Sequence, residues 1–169
     1  GSIFLGIATP TEASGIGAYP QTCSEYRRGL AVVSLPDGGA YVVDVFRVTG
    51  GSTHDWVLHG SADEDQSIEA DIETAEYGEN LLPEGVEFVR WESEYGHNMI
   101  DGQNNSYGLF RDVRTAEAED DFSADFLCKG GAGMRTSVLG MPGMTAYFGR
   151  LPSIRRANRS SARAYDYWM

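Results

Sequence analysis

Tyr41-Val-Val-Asp-Val-Phe-Arg-Val-Thr-Gly-Gly-Ser-Thr-His-Asp-Trp-Val-Leu-His-Gly60 carries an acid and two histidines in and among apolar positions around a Gly-Gly pair. Side chains along a strand point to opposite faces in turn. Val42, Asp44, Phe46 and Val48 therefore share one face, while Tyr41, Val43, Val45 and Arg47 share the other. The stretch reads as a β-hairpin turning at Gly50-Gly51, with His54 and His59 on opposite faces of its second strand. Asp44 stands in an apolar row, where an ionised carboxylate is costly unless it is paired, hydrogen-bonded or metal-bound.

The same pattern extends outward. Pro36-Asp-Gly-Gly39 has the composition of a tight turn and joins Arg28–Leu35 directly to Tyr41–Val48 as a second hairpin. In that alignment Arg27 or Arg28 is the nearest partner for Asp44, so all three are assigned a structural role. Further short runs bounded by Gly, Pro, Asn and Asp predict strands at Ile3–Ala8, Thr53–His59, Ser67–Thr74, Val86–Glu92, Gly108–Thr115, Asp121–Cys128, Met134–Leu139 and Met144–Gly149. No segment sustains a 3.6-residue period. About ten strands and no helix predict an all-β antiparallel sandwich rather than a small barrel.

At 169 residues the chain fits one domain over 1–169, able to bury roughly 70% of its unfolded surface. No apolar run approaches the ~18 residues of a membrane helix. Ile3-Phe-Leu-Gly-Ile-Ala8 has no charged segment before it, as a signal peptide would. The opening Gly1-Ser2 and the aromatic stop Tyr165-Asp-Tyr-Trp-Met169 read as the ends of a piece excised from a longer protein. Cys23 and Cys128 match no metal spacing and read as two free buried thiols.

Net charge is −12, unevenly spread. Arg150, Arg155, Arg156, Arg159 and Arg163 have no acid among them. Setting these five and Asp166 aside leaves 8 basic against 24 acidic residues over 1–149, about −16. An acidic body of this size argues against nucleic acid along most of the surface. The segment 150–169 reads as an extended Arg-rich stretch that contacts an absent neighbouring domain, with Arg155, Arg156 and Arg159 as candidates for an anionic polysaccharide.

Three blocks, Glu25-Tyr-Arg-Arg-Gly-Leu-Ala-Val-Val33, Tyr41-Val-Val-Asp-Val-Phe-Arg-Val-Thr-Gly-Gly51 and His54-Asp-Trp-Val-Leu-His-Gly60, resemble in order and spacing the C-terminal β-sandwich region of heparinase II/III-like polysaccharide lyases. The resemblance is strong over residues 25–60 and general elsewhere. It implies a parent joining an α/α toroid to the sandwich, β-elimination of uronate-containing polysaccharides such as glycosaminoglycan or alginate, and a bacterial, periplasmic or secreted setting. The missing N-terminal toroid would be the partner, and the sandwich would wall the substrate cleft without being catalytic alone. Zinc is implied for the parent. Its ligand-bearing His-x-His motif is not found in this sequence, and His97-Asn-Met-Ile-Asp-Gly-Gln103 follows the Tyr-Arg-Arg block where the family's similar segment precedes it.

Uronate β-elimination needs a group to neutralise the carboxylate, a base for the C5 proton and an acid for the leaving oxygen. His54 and His59 are the candidates for catalysis, Asp44 and His59 for a metal, and Trp56 for stacking on a sugar. The competing function is a standalone carbohydrate-binding or domain-docking module. Ser61-Ala-Asp-Glu-Asp-Gln66 reads as a solvated acidic turn.

Overall fold

The computed structural model describes residues 23–61, 65–86, 90–92, 98–100, 106–152 and 166–168. The chain divides into two compact units, residues 1–56 and 57–169.

The first unit is built on one long antiparallel hairpin, β1 (Cys23–Ser34) and β2 (Ala40–Gly50). The β-branched and aromatic content of both runs favours the extended form. Pro36-Asp-Gly-Gly39 closes the turn, where Leu35 N–H donates to Gly39 O at 2.7 Å and Gly39 N–H to Asp37 Oδ1 at 2.9 Å. Leu30 lies opposite Asp44, Arg28 opposite Phe46 and Tyr26 opposite Val48. Each strand pairs only with the other among the described residues, so apolar side chains stand exposed on both faces, among them Leu30, Val32, Val42, Val43 and Val45.

The second unit is an antiparallel β-sandwich. One sheet runs β3 (Gln66–Ala70), β8 (Phe122–Cys128), β9 (Gly133–Val138). The other runs β11 (Asp166–Trp168), β10 (Thr145–Pro152), β7 (Arg111–Glu117), β4 (Ala75–Gly78). A short hairpin, β5 (Arg90–Glu92) with β6 (Asn98–Ile100), and a 3-10 turn at Ser106–Leu109 complete the described elements. Eleven strands are described, three of them only three residues long, against about ten from sequence.

Period-2 alternation builds the core. Phe122, Ala124 and Phe126 of β8 and Ile68 of β3 face Ala116 of β7 and Phe148 of β10, joined by Ala118. Phe122 and Phe148 meet edge to face, centroids 6.2 Å apart. On the other face of the four-stranded sheet, Val113, Phe110 and Leu151 form a smaller core under Leu81, Tyr107 and Leu109.

The strand expected at Thr53–His59 does not form: residues 53–60 carry no regular structure, so the hairpin expected at Gly50-Gly51 is absent, while the one expected at Pro36–Gly39 is present. Gly50 and Gly51 take φ of 97° and 76°, which turns the chain out of the ladder just where β2 ends. Gly108 and Leu109, expected in a strand, close the 3-10 turn instead, and β7 begins at Arg111. Cys23 and Cys128 form no disulfide and are half-buried rather than buried. The strand expected at Ile3–Ala8 lies outside the described residues.

Candidate functional site

Alternation puts Tyr26, Arg28, Leu30 and Val32 of β1 on the same ribbon face as Val42, Asp44, Phe46 and Val48 of β2. Arg28 sits one step diagonally from Asp44, within reach of its fork-shaped guanidinium. Its Nε lies 3.0 Å from each Asp44 carboxylate oxygen, and its Nη2 2.6 Å from Oδ2. The chain leaving β2 returns Trp56 to the same acid, its indole Nε1–H donating to Oδ2 at 3.1 Å. Tyr26 and Phe46 pack edge to face alongside, 5.2 Å apart.

The acid that breaks the apolar row is thus held by two donors. Burial pushes the Asp44 carboxyl up, but the hydrogen bonds from Arg28 and Trp56 and the Arg28 charge outweigh it. The group titrates below its ordinary 3.8. Arg27 does not join this cluster: it lies on the opposite ribbon face, in register with Arg47, and its Nε is 3.7 Å from Glu25 Oε1.

A half-buried charged pair of this geometry is worth about 1–3 kcal/mol. Asp44→Asn is expected to lower the thermal midpoint followed by tryptophan fluorescence. The sign with pH follows from the depressed titration. The stabilisation is complete above the ordinary carboxylate value and is lost as pH falls through the folded-state value below it. The gap between parent and Asp44→Asn midpoints should therefore be full at neutral pH and narrow in acid below 3.8. A gap independent of pH would contradict the pairing.

His54 is exposed and makes no hydrogen bond or ion pair among the described residues. His59 is also exposed, and its Nδ1 donates to the carbonyl of the adjacent Gly60 at 2.7 Å. Trp56 keeps 38% of its surface exposed while its N–H is engaged. Among the described residues no three His, Cys, Asp or Glu side chains are gathered as a metal ion would need. Asp44, the metal candidate, spends its carboxylate on Arg28 and Trp56. Arg155, Arg156, Arg159 and His97 lie outside the described residues. Arg150 alone of the basic segment is described, half-buried on β10 and in register with Arg111.

Sequence reasoning did not single out an open groove of about 840 Å³ where β4 meets the start of β7. It is lined by Glu76, Glu79, Phe110, Arg111, Asp112 and Arg114, among others. A register shift on β4 between Glu76 and Gly78, with Asp112 of β7 at φ 53°, shapes this end of the sheet. The only sequence signal was Tyr77-Gly78 itself, a dipeptide too short to mark a strand. Comparison of the chain with protein-family models, with curated proteins and with solved structures finds no match.

Proposed function

We propose that this chain is the β-sandwich portion of a heparinase II/III-like polysaccharide lyase, whose parent cleaves uronate-containing polysaccharides by β-elimination. In that reading it supports the substrate cleft beside a helical toroid and is not catalytic alone. An exported bacterial setting and a zinc ion in the parent belong to the same proposal.

One observation carries it. Residues from each block that carries the resemblance, Arg28 in the first, Asp44 in the second and Trp56 in the third, meet in a single hydrogen-bonded cluster. Three separated blocks linked through one acid form a unit whose order and spacing have a physical reason. The exposed apolar faces of the ribbon also suit a chain that packs against a further domain. Sequencing the gene around the fragment tests the proposal. Several hundred upstream codons with long 3.6-residue periodicity are expected, whereas a frame holding little beyond this chain would contradict it.

A further inference from the structure

The ribbon of β1 and β2 turns one face outward with Arg28 and Asp44, and a different set of residues on the other. On that second face the register sets side chains in rows: Arg27 with Arg47, Gly29 with Val45, Ala31 with Val43, and Val33 with Tyr41. Leu35 and Gly39, joined by the turn hydrogen bond, make a fifth row. The three middle rows hold no charged side chain, and Tyr41, Val43 and Val45 are 51%, 44% and 57% exposed. Two guanidiniums directly opposite one another mark one end, an arrangement that costs stability unless an anion lies near. Glu25 approaches Arg27 only to 3.7 Å, and Arg47 makes no hydrogen bond or ion pair among the described residues. Asp37 marks the other end, its Oδ1 accepting from Gly39 N–H at 2.9 Å and its Oδ2 from nothing among the described residues.

The rows are symmetric about Ala31 and Val43. A two-fold axis through that row, crossing the strands, lays the ribbon on a second copy with the order of rows reversed. The Arg27–Arg47 row of each copy then meets the Leu35–Gly39 row of the other, beside Asp37. The Val33–Tyr41 row meets the Gly29–Val45 row, where Gly29 leaves space for the tyrosine ring: a Cβ there would meet only the Val45 oxygen, 4.0 Å away. Apolar rows cover apolar rows at the centre, and each end brings two guanidiniums to a carboxylate. We propose that this face of the ribbon is a self-association surface on which a second copy of the chain docks antiparallel. The charges favour a second copy as occupant, because one patch supplies both the cations and the acid. Each copy carries −12, a repulsion that physiological salt screens beyond about 8 Å, while the end pairs lie closer. With 11 residues in β2 the face is about 35 Å long, and its area falls at the low end of specific interfaces. The dimer is therefore weak, dissociating at roughly 10–500 µM. The surface goes beyond the lyase proposal, since it involves neither substrate nor cleavage and leaves the Arg28–Asp44 face for a further domain.

Sedimentation equilibrium of the 169-residue chain in physiological salt tests it, from about 10 µM to about 1 mM, a range that brackets the expected dissociation. The weight-average mass should rise with concentration from 18.4 kDa toward twice that value and no further. Val43→Lys sets two ammonium groups against each other at the axis and should weaken the dimer about tenfold or more. Arg47→Gln should weaken it about threefold, as should Asp37→Asn, which keeps an acceptor for Gly39 N–H. Combined, the last two should cost less than the product of their separate losses, because they belong to one contact. All three positions are exposed, so unchanged far-ultraviolet circular dichroism should accompany each loss. A mass of 18.4 kDa at every concentration would leave the face to a different partner and overturn the proposal. Growth beyond a dimer, an unweakened Val43→Lys variant, or fully multiplicative losses at Arg47 and Asp37 would overturn it as well. None of these outcomes bears on β-elimination by the parent, which is read separately by product absorbance.

Discussion

Phe148→Ala should cost the sandwich about 3–5 kcal/mol, the range for removing a large aromatic from a packed core. Phe148 is only 4% exposed and lies in the cluster formed by both sheets. Its ring meets Phe122 edge to face at 6.2 Å, and the Arg114 guanidinium lies 5.8 Å from its centroid. Alanine removes both ring contacts and leaves a cavity between backbones held by β-ladders, which limits collapse. Since domains of this size are stable by about 5–15 kcal/mol, the loss takes a large share of the total. A fall in midpoint of roughly 10–15 °C is expected by calorimetry. Phe148→Leu keeps most of the volume and should lose far less. A loss below about 1 kcal/mol for alanine would mean the two sheets do not pack as described.

Gly140→Ala is the second large effect, and its cause is backbone rather than packing volume. The loop 118–121 and the turn 140–144 are laced together by four hydrogen bonds. Ala118 N–H donates to Met144 O at 2.9 Å and Met141 N–H to Ala118 O at 3.2 Å. Gly140 N–H donates to Asp121 Oδ1 at 2.9 Å and Gly143 N–H to Glu119 Oε1 at 3.2 Å. A Cβ on Gly140 would overlap the carbonyl of Asp120 and the oxygen of Glu119, neither of which can rotate away as a side chain would. The two loops must separate, putting several of these bonds at risk. A loss of about 2–4 kcal/mol in chemical denaturation is expected. Gly131→Ala is a useful contrast: its φ of 84° disfavours alanine, but nothing stands within 4 Å of the new atom. Its cost should be nearer 1 kcal/mol. Equal losses at the two positions would contradict the close loop contact.

Much of this fold was legible in the alternation of particular strands. Tyr41–Val48, Asp121–Cys128 and Met134–Leu139 are short alternating or apolar runs bounded by turn residues, and each lies within a residue or two of an observed strand. The turn at Pro36–Gly39 was legible because its residues have few other uses. Thr53–His59 misled because its Trp56-Val-Leu58 run follows a Gly-Gly pair, as the second strand of a hairpin would. Periodicity cannot show that no partner strand lies alongside, nor that Trp56 turns back to Asp44. Ala75–Gly78 escaped notice as an edge strand with a shifted register. The closing Tyr-Trp pair was read as an odd end, and Asp166–Trp168 instead pairs along Leu151 and its neighbours on β10.

The cluster around Asp44 was half legible. An acid in an apolar row demanded a donor, and hairpin alignment offered Arg27 and Arg28. The pairing register selects Arg28, because neighbouring residues on a strand face opposite ways. Trp56 could not be inferred as the second donor, since its approach depends on two glycines with positive φ. The edge-to-face pair of Tyr77 and Tyr147 lies 70 positions apart in sequence, across an intervening strand, and only the sheet order brings it together.

Lyase activity itself gives the most direct test of the proposed function. The 169-residue chain and the longer parent that the proposal requires should each be incubated with a panel of uronate polysaccharides while the ultraviolet absorbance of the unsaturated product is followed. The expected result is a steady rise with the parent on at least one polymer and none with the chain alone. A rise with the isolated chain, or none with the parent on any uronate polymer, would contradict the proposed role.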